Sequence, residues 1–146
     1  MRRKTTITEK KTSENENKLK DFIADFQAFY DEIDNSLKEK LLKSKAWELH
    51  KNICENRLYT SKTVMIVFCF ASKMAHDKTN CLTEIMFSQA IKRAEELDEY
   101  FENNNKPIGP LHGIPFSIKD TFDFEDFGIS LFQFFLLFFR FEHWPY

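Results

Sequence analysis

Three prolines and two glycines crowd the stretch from Pro107 to Pro115, and the chain then runs Ile114-Pro-Phe-Ser-Ile-Lys119. Pro110 and Pro115 fix φ and remove backbone donors, while Gly109 and Gly113 permit backbone geometries closed to other residues. Such punctuation predicts a rigid loop that borders a short strand over Ile114–Lys119. Alternation along that strand puts Ile114, Phe116 and Ile118 on one face and Pro115, Ser117 and Lys119 on the other. Lys119 then closes the strand, opposite the apolar side. Sites in open α/β sheets lie beyond the carboxyl ends of strands, so Lys119 is the candidate functional residue.

Upstream, the pattern is mostly helical. Leu19, Phe22, Ile23, Phe26, Tyr30, Ile33, Leu37 and Leu41 recur at spacings of three and four, which predicts an amphipathic stripe from about Lys18. Asp34-Asn35-Ser36 favours caps over helix interiors and predicts a break into two helices. Ala46–Cys54 reads as a short helix. Thr60-Ser61 reads as the cap of a helix from about Lys62 to Ala75, apolar on nearly all sides and therefore expected to be buried. Asn80–Met86 reads as a loop and a short strand. Ser88–Glu102 follows as a helix whose charged face (Lys92, Arg93, Glu95, Glu96, Asp98 and Glu99) is expected to be solvated. Asn103–Asn105 and Pro107 end it. Strand, helix, turn and strand in this order imply an α/β layer.

Composition narrows the partners. A 146-residue chain suits one small domain, and 21 basic against 23 acidic residues excludes a broad field for nucleic acid or anionic lipid. Residues 1–17 are polar, with Arg2, Arg3, Lys4, Lys10 and Lys11 making a basic arm; they read as a disordered, solvated tail. No apolar core follows, as a secretory signal would need, and the early acidic residues do not suit a transit peptide. Cys54, Cys69 and Cys81 are odd in number without metal-like spacing, and His50, His76, His112 and His143 are scattered. Reduced thiols in a cytoplasmic protein, with no metal and no cofactor, are expected. The apolar runs Val64–Ala71 and Ile129–Phe139 are too short for an ordinary membrane-spanning helix.

A lysine acts as a general base only when neutral. Its reference pKa of about 10.4 has to fall by roughly three units, through burial or a cationic neighbour. Taken alone, a lysine at a strand end is a solvated cation; its context argues otherwise. Gly109-Pro-Leu-His-Gly-Ile-Pro115 and Ile118-Lys-Asp120 resemble the amidase signature family almost position for position. His76–Ile85 is similar to the acetamidase-like fungal branch, and the resemblance runs from about Lys43 to Phe124. It implies the N-terminal part of the amidase-signature fold, a mixed sheet surrounded by helices, here preceded by a helical region. It also implies a Ser-Ser-Lys mechanism that hydrolyses a carboxylic amide, with Lys119 as general base, an acyl-enzyme intermediate and backbone N–H groups as oxyanion hole. The resemblance implies a small-molecule amide as the substrate of complete family members. His112 belongs to the motif and reads as structural; Asp120 is expected to shape the turn after Lys119.

The chain departs from the family beyond Asp120. Both catalytic serines are expected well downstream in a Gly/Ser-rich segment, whereas Ser130 is the only serine after Ser117 and has no such context. Nine phenylalanines instead fall between Phe122 and Phe141. This change of composition reads as out-of-frame or intron-derived sequence from Ile129 to Tyr146. The expected organisation is a tail at 1–17, a helical region at 18–60, a partial amidase-signature domain at 61–128 and the atypical tail at 129–146. The truncated chain is expected to be inactive alone. Two other readings are a helical interaction module built on the 18–42 stripe and membrane attachment through 129–139.

Overall fold

The computed structural model describes residues 7–119 and 134–136, with side chains from Lys11 to Ile118. Five helices come first: α1 (Ile7–Glu32), α2 (Asn35–Lys43), α3 (Ala46–Cys54), α4 (Ser61–Thr79) and α5 (Phe87–Asn104). Strand β1 (Ser117–Lys119) pairs antiparallel with β2 (Phe134–Leu136), Ile118 facing Phe135. This pair is the sheet of the described residues, around which helices predominate.

Helix α4 is the axis of the packing. Met65, Ile66, Cys69 and Phe70 enter one apolar cluster with Phe22 of α1 and Phe87, Ala90, Ile91, Ala94 and Leu97 of α5. Val64 and Val67 enter a second, with Leu41 of α2, Leu49 and Ile53 of α3, Tyr59 and Ile114. A helix shared by two clusters must be apolar nearly all round, as its sequence is. Each large side chain it buries contributes about 1.5–3 kcal/mol relative to exposure. Phe22 adds ring geometry, its centroid lying 4.7 Å from Phe70 and 5.0 Å from Phe87. Leu19, Ile23, Phe26, Tyr30 and Ile33 pack against the same cluster. The stripe predicted on α1 thus serves the chain's own core.

Helix ends follow local chemistry. Asp34 accepts from the N–H groups of Ser36 (2.8 Å) and Leu37 (3.2 Å), which separates α1 from α2. Its hydrogen bonds, the Ser36 hydroxyl first, hold its carboxyl below the usual carboxylate range. Thr60 Oγ1 accepts from Thr63 N–H at 3.1 Å and starts α4 one residue before Lys62. Asn80 and Asn105, both left-handed, end α4 and α5.

Three expectations change. Helix α1 runs back to Ile7, through a stretch whose composition suggested disorder. Lys11, Asn15 and Lys18 lie on one helical face, continuous with the apolar stripe. Lys11 and Lys18 pair with Glu84, at 2.6 and 3.4 Å, and Asn15 Nδ2 donates to Thr83 O at 2.9 Å. Second, Asn80–Met86 forms bends and no strand. Its backbone finds side-chain partners instead: Leu82 N–H donates to His76 Nδ1 at 3.0 Å, and Thr83 O is taken by Asn15. Third, the charged face of α5 is not wholly solvated. Asp98 reaches α4 and accepts from the N–H groups of Ser61 (2.8 Å) and Lys62 (2.9 Å). With Thr60, it satisfies three N–H groups that the first turn of a helix cannot pair internally.

Charge-assisted bonds to a helix N-terminus are stronger than surface ion pairs. Asp98→Ala is expected to lower the free energy of unfolding by about 1–3 kcal/mol in urea titrations followed by circular dichroism. Glu95→Ala, which breaks only the 2.7 Å surface pair with Lys62, is expected to cost under about 1 kcal/mol.

Candidate functional site

Two turns in succession shape the loop before β1. His112 N–H donates to Gly109 O (3.1 Å), with Pro110 in the second position, where its fixed φ suits a turn. Ile114 N–H donates to Leu111 O (3.1 Å), and Gly113 occupies the third position with φ +76°. A type II turn requires positive φ there. Gly113 is needed for space as well: a Cβ on it would stand 2.6 Å from Ser61 Oγ and 2.8 Å from Ile53 Cδ1. Gly109 has no such constraint, since nothing lies within 4 Å of its equivalent Cβ position. The loop therefore rests, through Gly113, on the residue at which Asp98 begins α4.

His112 fills the interior of this loop. Only 3% of it is exposed, its ring centroid lies 5.5 Å from that of Phe101, and its Nδ1 accepts from Ile108 N–H at 3.3 Å. Burial pushes its pKa below the ordinary histidine value; Asp98 opposes this, and His50 and Arg93 reinforce it. The expectation of a structural role fits these contacts.

Beyond the turns, Ile114 and Ile118 are buried and Ser117 is exposed, as the alternation predicted, whereas Pro115 and Phe116 are both half-buried. The strand itself is shorter than expected, starting at Ser117 instead of Ile114. Ile114 spends its N–H on the turn and Pro115 has none to give, so pairing begins only after them. Lys119 is the last residue of β1, opposite Phe134 of β2. Asp120, Ser130 and His143 fall outside the described residues.

Cys54, Cys69 and Cys81 are free. Burial pushes the Cys54 thiol up to about 11 and raises that of buried Cys69 further. Among the described residues, no helix is long and apolar enough to cross a membrane.

A protein-family model described as Amidase matches residues 64–132, a span that takes in α4 from Val64 onward, α5, the double turn and Lys119. Over this span the chain is similar to amidases. Curated relatives of similar sequence are fungal. An amidase-named protein of Curvularia clavata is 48% identical over 73 residues, which is 50% of this chain and 14% of that protein. Amidase 1 of Gibberella moniliformis is 35% identical over 92 residues, 63% of this chain and 18% of that one. The acetamidase of Aspergillus oryzae is 41% identical over 81 residues, 56% of this chain and 15% of the relative. The chain thus spans less than a fifth of the length of these relatives. Among solved structures, a fatty acid amide hydrolase superposes with a TM-score of 0.56 at 33% identity, covering 69% of this chain and 18% of that one. The matched part of the chain accordingly has the fold of an N-terminal portion of the amidase-signature enzymes, without a complete sheet among the described residues.

Asp98 and Ser61 are the residues of this region that sequence reasoning did not connect. Thr60-Ser61 signalled a cap, but nothing in a charged helical face distinguishes the one carboxylate that reaches another helix. Gly113→Ala adds positive-φ strain to a close contact and is expected to destabilise by about 2–4 kcal/mol. Gly109→Ala is expected to be neutral or mildly stabilising, by up to about 1 kcal/mol. Paired urea titrations check the contrast.

Proposed function

We propose that this chain carries the general-base segment of an amidase and that Lys119 is that base. The substrate is a small carboxylic amide, hydrolysed to an acid and ammonia or an amine by a Ser-Ser-Lys mechanism in a cytoplasmic enzyme. The two serines belong to a Gly/Ser-rich segment that these 146 residues do not contain. The chain alone is therefore inactive. The observation that carries the reading is the family match, whose span includes the double turn and Lys119. The names of the relatives add the substrate class, since acetamidases of Aspergillus oryzae and Emericella nidulans are among them.

In this mechanism neutral Lys119 accepts a proton through the bridging serine as the nucleophilic serine Oγ attacks the amide carbonyl. The same proton then passes to the leaving nitrogen, the C–N bond breaks, and water resolves the acyl-enzyme. What this segment supplies is position. Gly113 seats the loop on Ser61, the buried Ile114 and Ile118 anchor the strand, and Lys119 follows at its end.

A chimera tests the reading. Residues 64–119 replace the matching segment of the Aspergillus oryzae acetamidase, and ammonia release from acetamide is measured. The chimera is expected to hydrolyse the amide, and Lys119→Ala within it to lower kcat by about 10²–10⁴. A folded Lys119→Ala chimera with undiminished kcat would remove Lys119 from the base role. Ammonia release by the purified 146-residue chain would overturn its inactivity.

A further inference from the structure

The contact between His112 and Ile108 depends on one proton. A ring nitrogen that accepts a hydrogen bond carries no hydrogen, so Nδ1 accepting from Ile108 N–H at 3.3 Å requires the neutral imidazole, with its hydrogen on Nε2. The side chain thereby ties the start of the loop to His112, which takes part in both turns, and the turn bond of Ile114 carries that tie to the loop's end. Protonation of Nδ1 would set two N–H donors against each other in a buried place. The groups that face the ring are Asp98 and Arg93 from α5 and His50 from α3. Asp98 is engaged by the Ser61 and Lys62 amides, which limits its freedom to turn toward an imidazolium.

We propose that His112 is a positioning residue for β1: its neutral ring clasps the loop from Ile108 to Ile114, and protonation in mild acid opens that clasp. The clasp does not rest on the catalytic reading of Lys119 and would operate on β1 whatever Lys119 does. Burial lowers the folded-state pKa of His112 below its unfolded value, so the folded chain binds this proton less readily. The stabilisation is then complete above about pH 6.5 and is lost as pH falls through the lower folded-state value.

Amide hydrogen exchange on the full 146-residue chain, read by NMR at about pH 7.5 and about pH 5, provides the test. Protection of Ile108 is expected to fall about tenfold or more between the two, while Ile66 in α4 and Ile91 in α5 keep theirs. His112→Asn puts an oxygen that does not titrate near the Nδ1 position and is expected to keep Ile108 protected at both pH values. His112→Leu, which has no acceptor, is expected to leave Ile108 unprotected at both. Ile108 protection that is the same at both pH values in the parent chain overturns the clasp. So does a His112→Asn chain that loses protection as the parent does, or core amides that open together with Ile108. If His112→Asn fails to fold, the His112 ring titration in the parent chain decides. Ile108 exchange that follows its midpoint supports the clasp, and exchange with a different midpoint overturns it.

Discussion

The Asp98 carboxylate holds the architecture together at the point where the most elements meet. Helix α4 begins with N–H groups that no residue of its own first turn can pair. Asp98, from the middle of α5, accepts two of them at 2.8 and 2.9 Å. One carboxylate thus satisfies orphan donors, complements the positive end of the helix dipole and fixes the approach of α5 to α4. Gly113 then packs on Ser61 so closely that a single added carbon would collide. The loop that delivers Lys119 is seated on this junction.

From that junction the two apolar clusters extend along α4. Their division has a mechanical consequence: the second cluster includes Ile114, so the packing of α2 and α3 bears directly on the residue that leaves the double turn. The first cluster joins α1 to α5 and shares no residue of β1. Helix α1 still reaches the rest of the chain at its polar end, where Glu84 receives both Lys11 and Lys18. Partly exposed ion pairs of this kind contribute modestly. They direct the helix along the 80–86 loop more than they stabilise it.

Periodicity and punctuation were sufficient for the existence of the five helices and for most of their ends. The Asp34 break, the Thr60 cap, the Asn105 terminus and the burial of α4 all follow from residues within a turn of where they act. The strand face was legible in part: Ile118 is buried and Ser117 exposed, as alternation requires, while Pro115 and Phe116 are both half-buried and Ile114 precedes the strand. Residues 80–86 were misread because Leu82 and Thr83 bond to side chains six and sixty-eight positions away. The polar start of α1 was misread because its partner, Glu84, is equally remote. Asp98 looked like any carboxylate on a charged face.

The amino-acid order alone determined that five helices form, where most of them are capped, which of their faces are apolar, and the signature around Lys119 that resembles amidases. Those properties arise from neighbours in the chain, whose propensities and spacing act over a few residues. Only the tertiary structure decided which carboxylate caps α4, why Gly113 and not Gly109 must be glycine, and that His112 accepts a backbone N–H from inside a closed loop. These depend on distances between segments far apart in sequence. Packing brings them within hydrogen-bond range, and no local pattern of residues encodes that proximity.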